Sequence, residues 1–429
     1  IYGSRGSSGV VLITTKKGKS GRTQISLDAS TGTQSLMGDV GILNWNDQAR
    51  IRNELSGGEF YNADDIALPF NTDWVDTVTR DALIRNYSLR ASGGDEKSHF
   101  SISANYLGQE GIFLNSEFNR ASVRLNADHK FGSNTKVGVN IYTARVDGKG
   151  IVKQPGSRNL SPFYAALVRS VAGRDDYNDD GTLAHTVLSS DIRPFINPIG
   201  LYTERINDRE QRNTYVNLFI EHDILDNLKA RVNLGSDHTL STVSQYQPAE
   251  YSSSGLDFAN ININQSSSYL IEGTLDYKTI IAEDHNLNVL VGASHQYFDN
   301  TNNNLFASDF PTDKFGYNNL GAADQKLVSF FGRAKYSFKD KLLLTATMRA
   351  DGASQFGENN KWGYFPSVSA AWKISEEDFL KDSKLLNDLK LRVSYGLTGN
   401  NRIDPYTSLA RVGTAMKAGD PNTYTYDGV

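Results

Sequence analysis

The sequence predicts an all-β protein, an antiparallel barrel whose strands cross a membrane. Three observations point there. Segments of roughly 9 to 14 residues carry apolar side chains on one face only, the pattern of a strand whose alternate side chains point to opposite faces. In Lys229 to Ser236, for instance, Ala230, Val232 and Leu234 alternate with Lys229, Arg231, Asn233 and Gly235. The connections alternate between long and short, which suits a barrel with tight turns at one rim and large loops at the other. Mean hydropathy is −0.45 and no run of about 18 apolar residues exists, so crossing by a helix is excluded. Crossing by strands is not, because only every second residue must face lipid.

The elements follow in order. Residues 1 to 20 stand apart: Gly3, Gly6 and Gly9 recur at every third position, Val10 to Thr15 reads as a short strand, and Lys16-Lys17-Gly18-Lys19 follows. The first long strand sets Ile25, Leu27 and Ala29 against Gln24, Ser26 and Asp28. A long connection over residues 34 to 82 carries Pro69 and a short helix near Thr72 to Val78. Strands near Ile84–Ala91 and Ser98–Leu107 flank the turn Gly93-Gly94-Asp95-Glu96. The next hairpin pairs Ser122–Lys130 with Lys136–Arg145 through Gly132-Ser133-Asn134, a composition that permits left-handed backbone. Residues 147 to 210 form a very long connection with four of the chain's 10 prolines. Hairpins Asn213–His222/Leu228–Leu240 and Tyr269–Ile281/Leu287–Tyr297 follow, and an Asn- and Asp-rich loop is expected over 300 to 326. Val328–Phe338 and Leu342–Ala350 share the turn Lys339-Asp340, and Ser367–Lys373 and Leu389–Leu397 are joined by a partly helical Ser375–Asn387. The sum is about thirteen strands.

Alternation alone also describes a soluble sandwich with one wet face. Two features favour the membrane. Globular strands mostly run five or six residues, whereas a tilted bilayer crossing needs about 9–11. Ala104, Ala127, Ala230 and Ala334 on the apolar faces would underfill a packed core but are acceptable against lipid. Charges keep to the other face, as Lys390, Arg392, Arg349 and Asp351 do; a Lys or Arg at the lipid midplane would cost roughly 2–4 kcal/mol. Tyr106, Tyr142, Tyr297, Tyr336, Phe338 and Trp372 near strand ends suit interfacial girdles.

The net charge of −5 leaves no basic footprint for nucleic acid. The absence of cysteine removes disulfides and thiolate metal sites. The glycine triplet has the wrong spacing for a dinucleotide cradle, and a strand rather than a helix follows it, so a steric role is expected. Asp176-Tyr177-Asn178-Asp179-Asp180-Gly181 fits the start of a calcium loop, but Val187 stands where the closing Glu belongs, so a tight loop turn is expected in place of a calcium site. The seven histidines show no zinc spacing, and no catalytic triad or carboxylate pair emerges. No enzyme activity, metal or cofactor is expected. Loop aromatics such as Trp45, Phe60, Tyr61, Trp74, Tyr164 and Tyr177 suit either ligand stacking or loop anchoring.

The opening residues, Ile1-Tyr2-Gly3-Ser4-Arg5-Gly6-Ser7-Ser8-Gly9-Val10-Val11-Leu12-Ile13-Thr14-Thr15-Lys16-Lys17-Gly18, resemble the end of the plug domain in SusC/RagA-type TonB-dependent transporters of Bacteroidetes, which typically reads Y-G-S-R-G-A-N-G-V-I-L-I-T-T-K-K-G. Further phrases occur in the family's order: Asn71-Thr72-Asp73-Trp74, Tyr87 to Gly94, Arg349 to Gly357, Trp362-Gly363-Tyr364-Phe365-Pro366-Ser367, Ala371 to Glu377 and Leu391 to Asn400. The resemblance implies a 22-stranded barrel filled by a plug. Residues 1–20 would be the plug's C-terminal end, with Tyr2, Gly3, Arg5, Gly6 and Gly9 as its structural motif, and residues 21–429 the N-terminal part of the barrel. The chain then reads as an internal fragment. The implied function is import of an oligosaccharide or peptide across the bacterial outer membrane, with a SusD-like surface lipoprotein as lid and TonB as the source of pull. A siderophore or cobalamin receptor, and a soluble or fibrous adhesion or carbohydrate-binding protein, are the alternatives.

Overall fold

The structure, a computed structural model, describes the chain apart from residues 1–2, 8, 13–17, 19, 39–40, 42, 70, 151–165, 167–176, 179, 184–196, 252–255, 309–314, 381–385, 387, 410, 415–423 and 428–429. Thirteen strands follow one another as nearest neighbours in one antiparallel sheet. They are β1 (Gly21–Gln34), β2 (Ala82–Gly94), β3 (Ser98–Glu110), β4 (Glu117–Phe131), β5 (Thr135–Lys149), β6 (Ile206–Leu225), β7 (Leu228–Gln247), β8 (Phe258–Ile281), β9 (His285–Ser308), β10 (Phe315–Phe338), β11 (Leu342–Ala353), β13 (Ser367–Lys373) and β14 (Lys390–Gly396). A short β12 (Trp362–Tyr364) pairs with β11, and β15 (Arg411–Thr414) with β16 (Tyr424–Asp427) forms a separate hairpin. Sequence order equals spatial order, so this is a partial barrel wall built as a meander, with the strand number that alternation predicts.

Register fixes the two faces. Ile25, Leu27 and Ala29 of β1 lie opposite Ala91, Leu89 and Tyr87 of β2, which lie opposite Ile102, Ala104 and Tyr106 of β3. The row continues through Leu125, Ile141, Val216, Leu234, Ile271, Val291 and Leu344 to Val368 and Val393. It stays open: Leu27 is 71% exposed, Ile271 52% and Val393 65%. The large buried apolar side chains sit mostly in the connections instead. Trp74, Val75 and Val78 cluster with Ala166, Ile199 and Tyr202, and Trp45 packs with Ala49 and Tyr61. A sandwich would bury the strand rows against a second sheet. Here the greasy rows meet no partner, and the loops carry their own small cores.

Those loop cores rest on capped helices. In α1 (Trp45–Ser56), Asn44 accepts from the Asp47 N–H, and the helix stops at Gly57 with φ 73°. Asn62 and Asp65 form a capping box on α2 (Ala63–Ile66), Asp73 caps α3 (Trp74–Val78), and Asn197 caps α4 (Pro198–Thr203). Of these, α3 is the helix expected near Thr72 to Val78.

Several expectations are corrected. The Asn-rich stretch over 300 to 326 is largely strand: β9 runs on to Ser308 and β10 starts at Phe315. β6, β7 and β8 also extend past their predicted ends at the long-loop rim. In β8 Ile261 and Ile263 still alternate with Asn260, Asn262 and Asn264, but in β9 both faces are polar from Asp299 to Asn304, so alternation is lost there while ladder hydrogen bonding continues. Tyr142 is no girdle residue; it pairs with Arg124 on the opposite face from the apolar row, its ring 4.8 Å from the guanidinium carbon. Within Val10 to Thr15, the described Val10–Leu12 are not strand, and the rest lies outside the described residues. Of Ser375–Asn387, the start forms a 3-10 turn at Ile374–Glu376 followed by a turn, and residues 381–385 and 387 lie outside.

Candidate functional site

The inner face of the sheet is the one that meets the first residues of the chain. Gly3–Arg5 form a 3-10 turn against β9 and β11. The Ser4 N–H donates to Asp351 Oδ2 at 2.8 Å, and Arg349 Nε donates to Asp351 Oδ1 at 2.7 Å. Arg349 Nη2 donates to Ser329 Oγ at 2.8 Å. Arg349, Asp351 and Ser329 are all buried, so the ion pair is desolvated and each member depends on the others. Arg5 Nη1 donates to Gln296 Oε1 at 2.8 Å. From the other side, the Gly399 N–H donates to the Gly3 carbonyl at 3.2 Å and the Asn401 N–H to the Ser4 carbonyl at 3.1 Å.

Gly3 has φ +51°, and a Cβ there would stand 2.3 Å from Asp351 Oδ2 and 2.6 Å from Arg349 Cδ. Both backbone conformation and space therefore demand glycine. Gly6 and Gly9 continue the turn, with N–H donations to the carbonyls of Gly3 and Gly6 at 3.2 Å each. Gly9 has φ +84° but open space around it. Tyr2 lies outside the described residues. Of the sequence-singled residues, then, Gly3 and Arg5 touch the wall directly. The sequence shows Arg349 and Asp351 as charges on the wet face of their strand and within a family-like phrase, but not the contact of Asp351 with Ser4. The available signal was two opposite charges two apart on the charged face of a strand.

Below this contact, toward the tight-turn rim, the inner face carries paired charges. Arg231 bonds Glu221, Lys136 lies 2.9 Å from Asp128, and Lys229 lies 3.4 Å from Asp223. At the rim itself, Glu377 accepts from Trp372 Nε1 at 2.9 Å and from Lys341 Nζ at 3.2 Å. The indole bond first, and then Lys341, hold the Glu377 carboxyl below its usual range. In the turn after β2, N–H groups of Ser98 and Lys97 do the same for Asp95. In the loop core, burial pushes the Tyr202 phenol well above its usual range.

The outer face bears aromatic pairs near the ends of the apolar row. Tyr87 stacks on Tyr106 with centroids 6.3 Å apart, and Tyr269 on Tyr297 at 6.4 Å. Toward the tight turns, His285 lies 4.8 Å from Phe338 and donates to or accepts from the Tyr336 hydroxyl at 2.6 Å. No helix among the described residues is long and apolar enough to cross a membrane. In the expected calcium-loop lookalike, Asp180 accepts from the Thr182 N–H and hydroxyl, and Gly181 adopts φ +81°. The described part is thus a tight turn; Asp176, Asp179 and Val187 lie outside.

A single meander with a bare apolar row and a charged inner face is the wall of a membrane barrel, and residues 157–427 match the family model for the TonB dependent receptor-like β-barrel. The chain belongs to that family. Among related TonB-dependent receptors, receptor P3 of Formosa agariphila is 32% identical over 426 residues, covering 96% of this chain and 42% of that protein. SusC of Bacteroides thetaiotaomicron is 29% identical over 433 residues, covering 94% and 42%. The chain thus spans less than half the length of these relatives. In fold it matches a chain of the RagAB peptide importer in its closed-closed state with a TM-score of 0.84 at 24% identity, over 100% of this chain and 53% of that one. The SusC/RagA-type resemblance read from the sequence is carried by these relatives.

Proposed function

We propose that the chain is part of a bacterial outer-membrane transporter that imports a nutrient, an oligosaccharide or a peptide. In this reading residues 1–20 are the end of a plug that fills the barrel, and residues 21–429 are barrel wall. A SusD-like lipoprotein covers the long-loop rim, and TonB pulls on the plug from the periplasmic side. The observation that carries the reading is the uncovered apolar row. Burying apolar surface stabilises by about 25 cal/mol per Å², and with no protein element on this row only hydrocarbon supplies that burial. The paired charges of the inner face then line water.

The Gly3–Arg5 contact gives the plug a fixed point. The Asp351 carboxylate receives the Ser4 N–H while held by Arg349, so the chain leaving the plug is tied to β11 before it enters β1. Force applied upstream would move plug residues ahead of this tie, and the tie would bear the load. No covalent chemistry is required: substrate held above the plug passes when the plug shifts. The relative solved as a peptide importer and the relative named SusC support transport as the activity.

The test uses the full-length gene product. It should fractionate with outer membrane, show the shift in electrophoretic mobility on heating that folded barrels show, and support uptake that stops when its TonB-contacting segment is deleted. Recovery of a folded monomer without detergent would overturn the reading.

A further inference from the structure

The inner face changes character along its height. Toward the tight turns it holds Glu221, Arg231, Glu272, Asp276, Arg333 and Lys335. Past Gln296, where Arg5 is bound, the same face of β6–β10 turns to amides. Residues in register share a face, so Asn207, Gln245 and Asn260 form one row across β6, β7 and β8. Asn262, Asn304 and Asn319 form another across β8, β9 and β10, with Asn264 beside Asn302. Asp237 is the last acid on this face of β7, and among the described residues of these five strands the only charged side chain on this face farther toward the long-loop rim is Arg209. It donates to Gln211 Oε1 at 3.0 Å.

The amides are partly linked. Gln245 Nε2 donates to Asn207 Oδ1 at 3.3 Å, and Asn260 Nδ2 to Gln245 Oε1 at 3.4 Å. The Oδ1 atoms of Asn260, Asn264 and Asn304 accept no hydrogen bond among the described residues, as is true of Asn303 on the outer face. Leaving a shielded acceptor unfilled is unfavourable, and the broad terminal torsion of an amide lets it turn toward a donor. On the same face Phe258 stacks on Phe306 with centroids 6.3 Å apart, and Phe298 follows one turn of alternation below Asn300.

We propose that this wall is a binding surface for a neutral oligosaccharide, which names the substrate class within the importer reading and rests on that reading. Side-chain amides offer one acceptor and two donors each, and vicinal sugar hydroxyls offer both in return. Ring faces accept the apolar C–H faces of sugars. A peptide brings terminal and side-chain charges that this wall does not meet, and its backbone prefers an unpaired strand edge, whereas β7, β8 and β9 are paired on both sides. An anionic ligand would call for Arg and Lys in its place.

The test takes the purified full-length transporter with its lid lipoprotein. It is offered pooled neutral oligosaccharides from plant, algal and host polysaccharide hydrolysates, and separately tryptic peptides and acidic oligosaccharides; retained species are read by mass spectrometry and their binding by calorimetry. Neutral glycans are expected to be retained. Asn264→Leu with Asn304→Leu should weaken them at least about tenfold, or roughly 1.4 kcal/mol. The isosteric Asn264→Asp with Asn304→Asp, which keeps the fold while removing donors, should also weaken them. Retention of peptides or acidic species alone, no retention of any neutral glycan, or glycan binding untouched by both double variants overturns the proposal. Outer-membrane fractionation and TonB-dependent uptake, measured in parallel, keep the importer reading standing or falling separately.

Discussion

Asp351 is the residue on which the first turn of the chain depends. It accepts from Ser4 and from Arg349, and is 3% exposed. Asp351→Ala leaves the buried Arg349 guanidinium without its carboxylate, and breaking such a pair costs about 3–5 kcal/mol. Asp351→Asn keeps an acceptor and should cost less. The midpoint of heat-induced mobility change of the full-length barrel in detergent checks both. Gly3→Val adds a left-handed backbone penalty of about 1–2 kcal/mol to a side chain with no room. It should raise leak conductance in planar bilayers while the wall still folds. Glu377 gives a pH prediction. Its folded pKa lies below its unfolded value near 4.3, so the stabilisation is present above that value and is lost as pH falls through the lower, folded one. Acid titration of Trp372 fluorescence, with the other three tryptophans replaced, should show a transition that Glu377→Gln abolishes.

The strands obey the same logic with a sharper contrast. Val232 faces outward and Asn233 inward. Val232→Arg should reduce folding stability in lipid vesicles by about 2–4 kcal/mol, whereas Asn233→Arg should change it little, as urea unfolding monitored by intrinsic fluorescence would report. Alternation made the central part of each strand legible, because there one face must be apolar and the other wet. It made the tight turns legible too: Gly132 has φ 60°, and Lys339 and Asp340 adopt φ 50° and 53° as a reversed turn requires. It failed where water bathes both faces. Asn300, Asn302 and Asn304 lie in β9 although Asn disfavours strands, since partners on both sides override propensity. The contact of Ser4 with Asp351 was illegible for another reason: 347 positions separate them, and no local pattern encodes so distant a meeting. The helix α1 was hidden because its apolar stripe is narrow, with only Trp45 and Ala49 buried.

Across the molecule, the loops at one rim and the turns at the other make a sidedness prediction. An epitope inserted at Asp180 in the full-length protein should be reached by antibody on intact cells, and one at Ser133 only after permeabilisation; the reverse labelling would turn the barrel upside down. The strands β8, β9 and β10 each hold 24 residues. At about 3.4 Å per residue and a tilt near 40°, each rises roughly 60 Å, against an apolar band of about 25 Å. Much of their length therefore projects past the hydrocarbon as a stiff chimney, stitched by ladder bonds where short-stranded barrels have only pliant loops. Anything that caps this mouth closes onto a rampart that does not bend to meet it, so the travel between shut and ajar must be supplied by the cap.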